Sequence, residues 1–96
     1  MKIRILSSGV ADLERGRDFY EEQGEGLGQY FMDSLFSDID SLALYGGTHS
    51  THWGYYRLLS KRFPYAVYYR MNQDVVEVWR VLGCRQHPGK IKKALK

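Results

Sequence analysis

Five basic side chains in the second half of the sequence lie among aromatic residues in a way that suits anion binding. Arginine binds phosphate and carboxylate groups through a planar fork of donors, and aromatic rings can stack on nucleic-acid bases. The candidate partner-binding or nucleic-acid-binding residues are Arg57, Lys61, Arg62, Arg70 and Arg80, interleaved with Tyr55, Tyr56, Tyr68 and Trp79. Packing within a sheet also explains the aromatic residues, because strand alternation places Tyr68 on the same side as Arg70.

Arg85 and His87 are candidates for anion binding and for proton transfer, respectively. Arg85 follows Gly83 and Cys84 at the end of a predicted strand, where its side chain can project from the sheet edge towards a phosphate or a partner. His87 has a reference pKa of about 6.5, which allows proton transfer near neutral pH. The alternatives are a solvated arginine and a loop histidine before Pro88.

Two residue pairs have spacing that zinc sites use, but the sequence does not favour a metal. They are His49 with His52 and Cys84 with His87, and no other cysteine is present to complete a ligand set. The glycines at 24, 26 and 28 lack the preceding strand that a phosphate-binding loop requires. We therefore expect neither a metal nor another cofactor.

Length and composition predict one small globular domain spanning residues 1–96. The chain has 96 residues, of which 44% are hydrophobic and 26% charged, typical of a folded chain that needs no disulfide or metal. No apolar run is long enough to span a membrane, and the first residues do not form a secretion signal. The single cysteine, Cys84, fits a reducing compartment, so we expect a cytoplasmic protein without a membrane partner.

Charge is distributed unevenly along the chain. The net charge is +3, but residues 1–53 carry four basic and nine acidic side chains, whereas residues 54–96 carry ten basic and two acidic ones. This asymmetry favours a basic face built by the second half, suited to a polyanion or an acidic protein segment. The alternative is that opposite charges meet across the fold.

The hydrophobic pattern predicts an α+β fold in which a helical hairpin packs on a small antiparallel sheet, in the order β-α-α-β-β-β. We predict a strand at residues 2–7, with Ser7 or Ser8 capping a helix at 10–23 whose apolar stripe includes Val10 and Leu13. A stronger helix follows at 27–44, with Phe31, Leu35 and Ile39 at helical spacing. Residues 48–54 are predicted as a loop, followed by strands at 55–60, 65–71 and 75–82. Residues 85–96 form a basic tail or a short helix.

This element order and one long motif resemble the RelE/ParE superfamily of toxins from bacterial type II toxin–antitoxin systems. The motif is Arg-Phe-Pro-Tyr-Ala-Val-Tyr-Tyr-Arg at residues 62–70, followed by the aliphatic strand at 75–82 and the run Gly-Cys-Arg-Gln-His-Pro at 83–88. The match covers about the last 40 residues, and the helical hairpin agrees in pattern only.

The resemblance implies one of three functions. RelE-like members cut messenger RNA in the ribosome, ParE-like members inhibit DNA gyrase, and others are inactive relatives that only bind nucleic acid. Arg85 matches a basic position of the nucleases, and Arg85 and His87 are the candidate catalytic residues if the protein is such a nuclease. However, Tyr65 stands where the nucleases carry an arginine, and their terminal tyrosine falls at or near Ile91. These departures favour a ParE-like toxin, with a ribosome-dependent endoribonuclease as the alternative.

The resemblance also implies a protein partner. Toxins of this superfamily are neutralised by a cognate antitoxin, which is commonly acidic and partly disordered until it binds. A basic second half and an exposed strand edge that could accept an added strand fit such a partner.

Overall fold

A computed structural model describes residues 1–95 of the chain. Within this range a five-stranded sheet is accompanied by four helical segments. The strands are β1 (Lys2–Ile5), β2 (Thr51–His52), β3 (Tyr55–Leu59), β4 (Tyr65–Asn72) and β5 (Val75–Gly83). The helices are α1 (Ser7–Gln23), α2 (Leu27–Asp40), α3 (Leu42–Tyr45) and α4 (Pro88–Ala94). None of the helices in residues 1–95 is both long and apolar enough to cross a bilayer.

The sheet is mixed, with the strand order β1-β5-β4-β3-β2. Strands β2 to β5 pair antiparallel with their neighbours, and β1 joins β5 in parallel, with Ile3 opposite Val76. The predicted α+β class is confirmed, and the antiparallel prediction holds for all strands except β1. A parallel pair requires a long connection, and here residues 6–74, which contain three helices and three strands, separate β1 from β5.

Helices α1 and α2 pack together on one face of the sheet, here called the hairpin face. Phe31, Leu35 and Ile39 of α2 are almost completely buried there with Leu13 of α1. They pack against valines of the two central strands and against the ring of Tyr69. The helical hairpin expected from the apolar spacing is therefore present.

The start of α1 differs from the prediction. The helix begins at Ser7, and neither Ser7 nor Ser8 caps it, because Leu6 occupies the cap position without a side-chain hydrogen bond. Val10 is 42% exposed. The buried stripe of α1 instead runs through two glycines, Gly9 and Gly16, which bring the helix backbone close to its neighbours.

The second helix is shorter than predicted. It ends at Asp40, and Leu42–Tyr45 forms the separate segment α3. The Ser41 hydroxyl donates to the Asp38 carbonyl at 2.6 Å, a local bond that competes with continued helical pairing. Leu42 nevertheless remains fully buried, as the apolar spacing predicted.

Helix α4 covers part of the sheet face opposite the hairpin. Its Ile91, together with Leu95, packs on Tyr55, Tyr68 and Leu82 in a second apolar cluster. The Tyr55 hydroxyl donates to the Leu95 carbonyl at 2.7 Å, which fixes the end of the helix. Residues Pro88–Ala94 of the basic tail are therefore a short helix, one of the two forms expected for this segment.

Helix α1 also closes the part of β5 that β1 does not reach. The Ser8 hydroxyl donates to the Trp79 carbonyl at 2.6 Å, and the Val81 N–H donates to the Asp12 carboxylate at 2.9 Å. Gly9 permits this approach, because a Cβ atom there would lie 3.3 Å from the Val78 carbonyl oxygen. Side chains of a helix therefore satisfy backbone groups that would otherwise form an open strand edge.

Candidate partner-binding surface

The acidic side chains of the first half of the chain are concentrated in the helical layer of the molecule. All nine carboxylates of residues 1–53 lie on α1, on α2 or in the turn that joins them. The sheet face opposite the hairpin carries mainly cations from the strands and from α4. We call this surface the basic face; it comprises Arg4, Arg57, Arg70, Lys92 and Lys93, with Glu77 as its carboxylate. The basic face predicted from the charge asymmetry is therefore present.

Arg70 lies over two aromatic rings of the basic face. Its guanidinium carbon lies 4.0 Å from the centroid of the Tyr55 ring and 5.3 Å from that of Trp79. Its Nε also donates to the Gly54 carbonyl at 3.4 Å. These contacts position the guanidinium while the residue stays exposed, so its charge is accessible to an anion.

Arg57 lies across the strand pair from Tyr68 and near Cys84. Burial raises the pKa of the Tyr68 hydroxyl, and the positive charge of Arg57 acts in the opposite direction. Burial likewise raises the pKa of the Cys84 thiol, again opposed by Arg57. Cys84 is therefore protonated at neutral pH, which argues against a role as a nucleophile.

Trp53 is an exposed aromatic residue beside the basic face that the sequence pattern did not single out. It is 41% exposed at the tip of the β2–β3 hairpin, with φ of 55°, and Gly54 follows with φ of 85°. Two consecutive positive φ angles form the tight turn that favours Asn-Gly, and a bulky aromatic residue there is a conformational outlier. Its ring centroid lies 6.5 Å from that of Tyr68, beside the basic face. The Trp-Gly pair was the available signal, but it lay in a segment predicted as a loop.

Arg80, predicted to bind a partner, is engaged inside the protein. Its Nε and Nη2 donate to the two carboxylate oxygens of Asp12 at 2.7 and 3.0 Å, and its Nη1 donates to the Ala94 carbonyl at 2.9 Å. Asp12 is only 4% exposed and also pairs with Arg15. The hydrogen bond to Asp12 raises the pKa of Arg80, which therefore remains charged. Arg80, which lies on β5, therefore links this strand to Asp12 of α1 and to the end of α4.

Lys61 and Arg62 lie in the β3–β4 connection, away from the other predicted binding residues. The Arg62 Nη1 donates to the Tyr30 hydroxyl of α2 at 3.0 Å, and this hydrogen bond raises the pKa of the exposed guanidinium. Lys61 is also exposed. The structure thus brings Arg57 and Arg70 together on the basic face. It places Lys61 and Arg62 beside the hairpin instead.

The two candidate catalytic residues lie at the start of α4. Arg85 is exposed beside a cavity of about 290 Å³ that Pro64 and Tyr65 also line. His87 caps α4, with its Nδ1 accepting a hydrogen bond from the Gly89 N–H at 3.0 Å. Protonation of Nδ1 would remove this acceptor, so the cap requires the neutral ring.

The two residue pairs with zinc-like spacing make local contacts. Nδ1 of His49 pairs with the Tyr69 hydroxyl, and His87 serves as the cap described above. Within residues 1–95, no three His, Cys, Asp or Glu side chains come together as a metal-binding group.

Comparison with known proteins identifies the fold. No protein-family model and no curated protein matches the sequence. Among solved structures, the chain is similar to one described as "Chromosomal ParDE TA system from P. aeruginosa", with a TM-score of 0.78 and 17% sequence identity. The match covers 86% of this chain and 95% of that chain. The RelE/ParE-like fold that the sequence motif implied is therefore confirmed.

Proposed function

We propose that this protein is the toxin of a type II toxin–antitoxin system, that it acts as a ParE-like inhibitor of DNA gyrase, and that a cognate antitoxin neutralises it. The fold shared with a ParDE system supports the general assignment. The observation that supports the choice of mechanism is the environment of Ile91, which is 7% exposed and packs in a cluster with Tyr55 and Leu82. The resemblance puts the terminal tyrosine of many RelE-like nucleases at or near Ile91, and an aliphatic packing residue there favours the ParE-like mechanism.

The candidate acid–base residue also supports binding rather than cleavage. Nδ1 of His87 caps α4 by accepting a hydrogen bond from the Gly89 N–H, so this ring nitrogen is already engaged within the protein. Arg57 and Arg70 can hold an anionic group but cannot remove a proton from a 2′-hydroxyl, because an arginine remains charged throughout the physiological range.

Gyrase and its DNA would meet the basic face in this proposal. Arg70 supplies a cation that lies over two rings, Arg57 supplies a second cation on the same face, and Trp53 supplies an exposed ring, a residue type enriched at binding hot spots. The carboxylates lie on the opposite layer, so the field of the protein orients the basic face towards a polyanion.

The direct test is a supercoiling assay with purified gyrase and relaxed plasmid. The protein should inhibit supercoiling, and Arg70→Glu or Trp53→Ala should reduce the inhibition by about tenfold. Arg17→Glu makes the same charge change in the hairpin layer and should leave inhibition unchanged. Normal supercoiling at saturating protein would overturn the gyrase proposal.

A ribosome-dependent endoribonuclease is the second candidate, favoured by the exposed Arg85 at the matching basic position. Pulse labelling after induced expression separates the two mechanisms. A gyrase inhibitor stops DNA synthesis first, whereas a nuclease stops protein synthesis within minutes and loses activity in Arg85→Ala. A chain that changes neither process is an inactive relative whose basic face serves only attachment.

A further inference from the structure

A row of aromatic rings lies where the turn of the helical hairpin meets the β3–β4 connection. The rings are those of Phe19, Tyr20, Phe63 and Tyr30, in that order, and we call them the aromatic ridge. Neighbouring ring centroids along the ridge are 5.1, 4.7 and 5.4 Å apart. Because β3 runs from the Trp53 turn to the β3–β4 connection, the ridge and Trp53 lie at opposite ends of that strand.

The fold leaves both ends of the aromatic ridge uncovered. Phe19 is 54% exposed and Tyr30 is 45% exposed, whereas the two inner rings are partly buried against the core. Contacts between the rings support the exposed pair from below. Exposed aromatic side chains that are held by such packing are typical of the centre of a protein interface. The ridge is not used in the proposed contact with gyrase.

Two charged side chains flank the Phe19 end of the ridge. Glu22 follows Phe19 by three residues in α1, so both lie on the same side of that helix. Arg85 lines a cavity together with Phe19. Glu22 and Arg85 are exposed, and neither forms an ion pair with another residue of the range 1–95.

Two charged side chains of the opposite kind flank the Tyr30 end. The Arg62 Nη1 donates to the Tyr30 hydroxyl at 3.0 Å, and the guanidinium carbon lies 5.9 Å from the centroid of the ring. Asp33 lines a cavity of about 270 Å³ with Arg62 and Tyr30. Both charged groups are exposed, and in the described part of the chain neither has an ion-pair partner. Each charge at one end of the ridge therefore has its counterpart at the other end.

We propose that the aromatic ridge binds a second copy of this chain and forms a homodimer with a two-fold axis. Phe19 of each copy then packs against Tyr30 of the other, and Glu22 of each copy faces Arg62 of the other. A two-fold axis repeats every contact, so an interface of this kind has to be complementary to itself. Charge complementarity decides the occupant, because turning the ridge end for end places each flanking charge opposite its counterpart. The inference does not rest on the proposed function, since the basic face lies outside the interface.

Sedimentation velocity of the purified chain tests the proposal. The sedimentation coefficient should rise from that of a monomer towards that of a dimer between about 1 and 100 μM, the range in which a weak dimer dissociates. Phe19→Ala should weaken the association by about tenfold, because it removes an exposed ring from the centre of the interface. Leu44→Ala is the matched control, since it removes an exposed apolar side chain from α3, and it should associate normally.

A charge exchange tests the arrangement of the two copies. Glu22→Arg and Arg62→Glu should each weaken the association by about tenfold, because like charges then face each other twice in the dimer. An equal mixture of these two variants should associate as tightly as the unchanged protein, because every arginine in the mixed dimer again faces a glutamate. Glu14→Arg makes the same charge change at another exposed position of α1 and should not alter the association.

Three results would overturn the proposal. A monomer at every concentration would leave the aromatic ridge to a partner other than this chain. A dimer that forms equally well with Phe19→Ala and with both charge variants would use another surface. A mixture that associates no more tightly than either charge variant alone would refute the contact between Glu22 and Arg62. The supercoiling assay tests the basic face separately, so the dimer and the gyrase proposal can fail independently.

Discussion

The ion pair between Asp12 and Arg80 gives the sharpest prediction of stability. Asp12→Asn keeps the shape of the side chain and an oxygen that can accept from the Val81 N–H. It removes the charge that the Arg80 guanidinium faces, and the amide nitrogen cannot accept from a guanidinium donor. Breaking a buried pair costs about 3–5 kcal/mol, and the Arg80 side chain is 23% exposed, so we expect a loss of about 3 kcal/mol.

Urea unfolding followed by circular dichroism measures this loss. Asp18→Asn is the matched control, because Asp18 pairs with Arg17 in an exposed position and should change the free energy of unfolding by less than about 0.5 kcal/mol. A double-mutant cycle with Arg80→Met should show a coupling of about 2 kcal/mol. Strictly additive effects, or an Asp12→Asn protein as stable as the parent, would refute the account of Arg80 as a structural residue.

Three further predictions concern turns, close packing and pH. Gln73→Asn should stabilise the protein by about 0.5–1 kcal/mol in urea unfolding, because Gln73 is exposed with φ of 56° and asparagine tolerates that conformation. The control Gln73→Ala should not increase the free energy of unfolding. An equal increase in both variants would argue against relief of backbone strain. Gly16→Ala should lower the thermal midpoint and cost about 1–3 kcal/mol, because its Cβ would lie 2.4 Å from the Phe31 Cζ; an unchanged midpoint would show that the ring moves freely. Burial raises the pKa of three tyrosines, Tyr65, Tyr68 and Tyr69. Their contribution to stability is complete below the unfolded pKa of about 10 and is lost as the pH rises through the higher folded pKa values. The urea concentration at the unfolding midpoint should therefore decrease when the pH is raised above about 10. A midpoint that stayed constant in that range would contradict the burial argument.

Local sequence pattern was sufficient for most of the secondary structure. The runs that form β4 and β5 are dense in aromatic and β-branched residues, and Leu35 and Ile39 repeat at helical spacing. These preferences act within a few residues, so they can be read without knowing the tertiary contacts. The motif at residues 62–70 then led to the correct fold.

Features that depend on distant partners could not be read from the sequence. Arg80 meets Asp12 across 68 positions of the chain, and no spacing rule connects them. Helix α4 has too few residues to reveal which sheet face it covers. Trp53 depends on a backbone conformation that sequence propensity disfavours, since its turn normally takes asparagine or glycine. Among the predicted binding residues, the structure therefore places only Arg57 and Arg70 on one surface.

The position of β5 between β1 and β4 has a consequence for synthesis of the protein. Both helices of the hairpin leave the ribosome before β5, so Phe31 and Leu35 have no complete sheet to cover until Val75–Gly83 has emerged. The basic face also requires residues that follow β5, among them Lys92 and Lys93. Under the proposed function, a growing chain therefore lacks the complete surface that would contact the target. Inhibition becomes possible only after these last residues have emerged and folded.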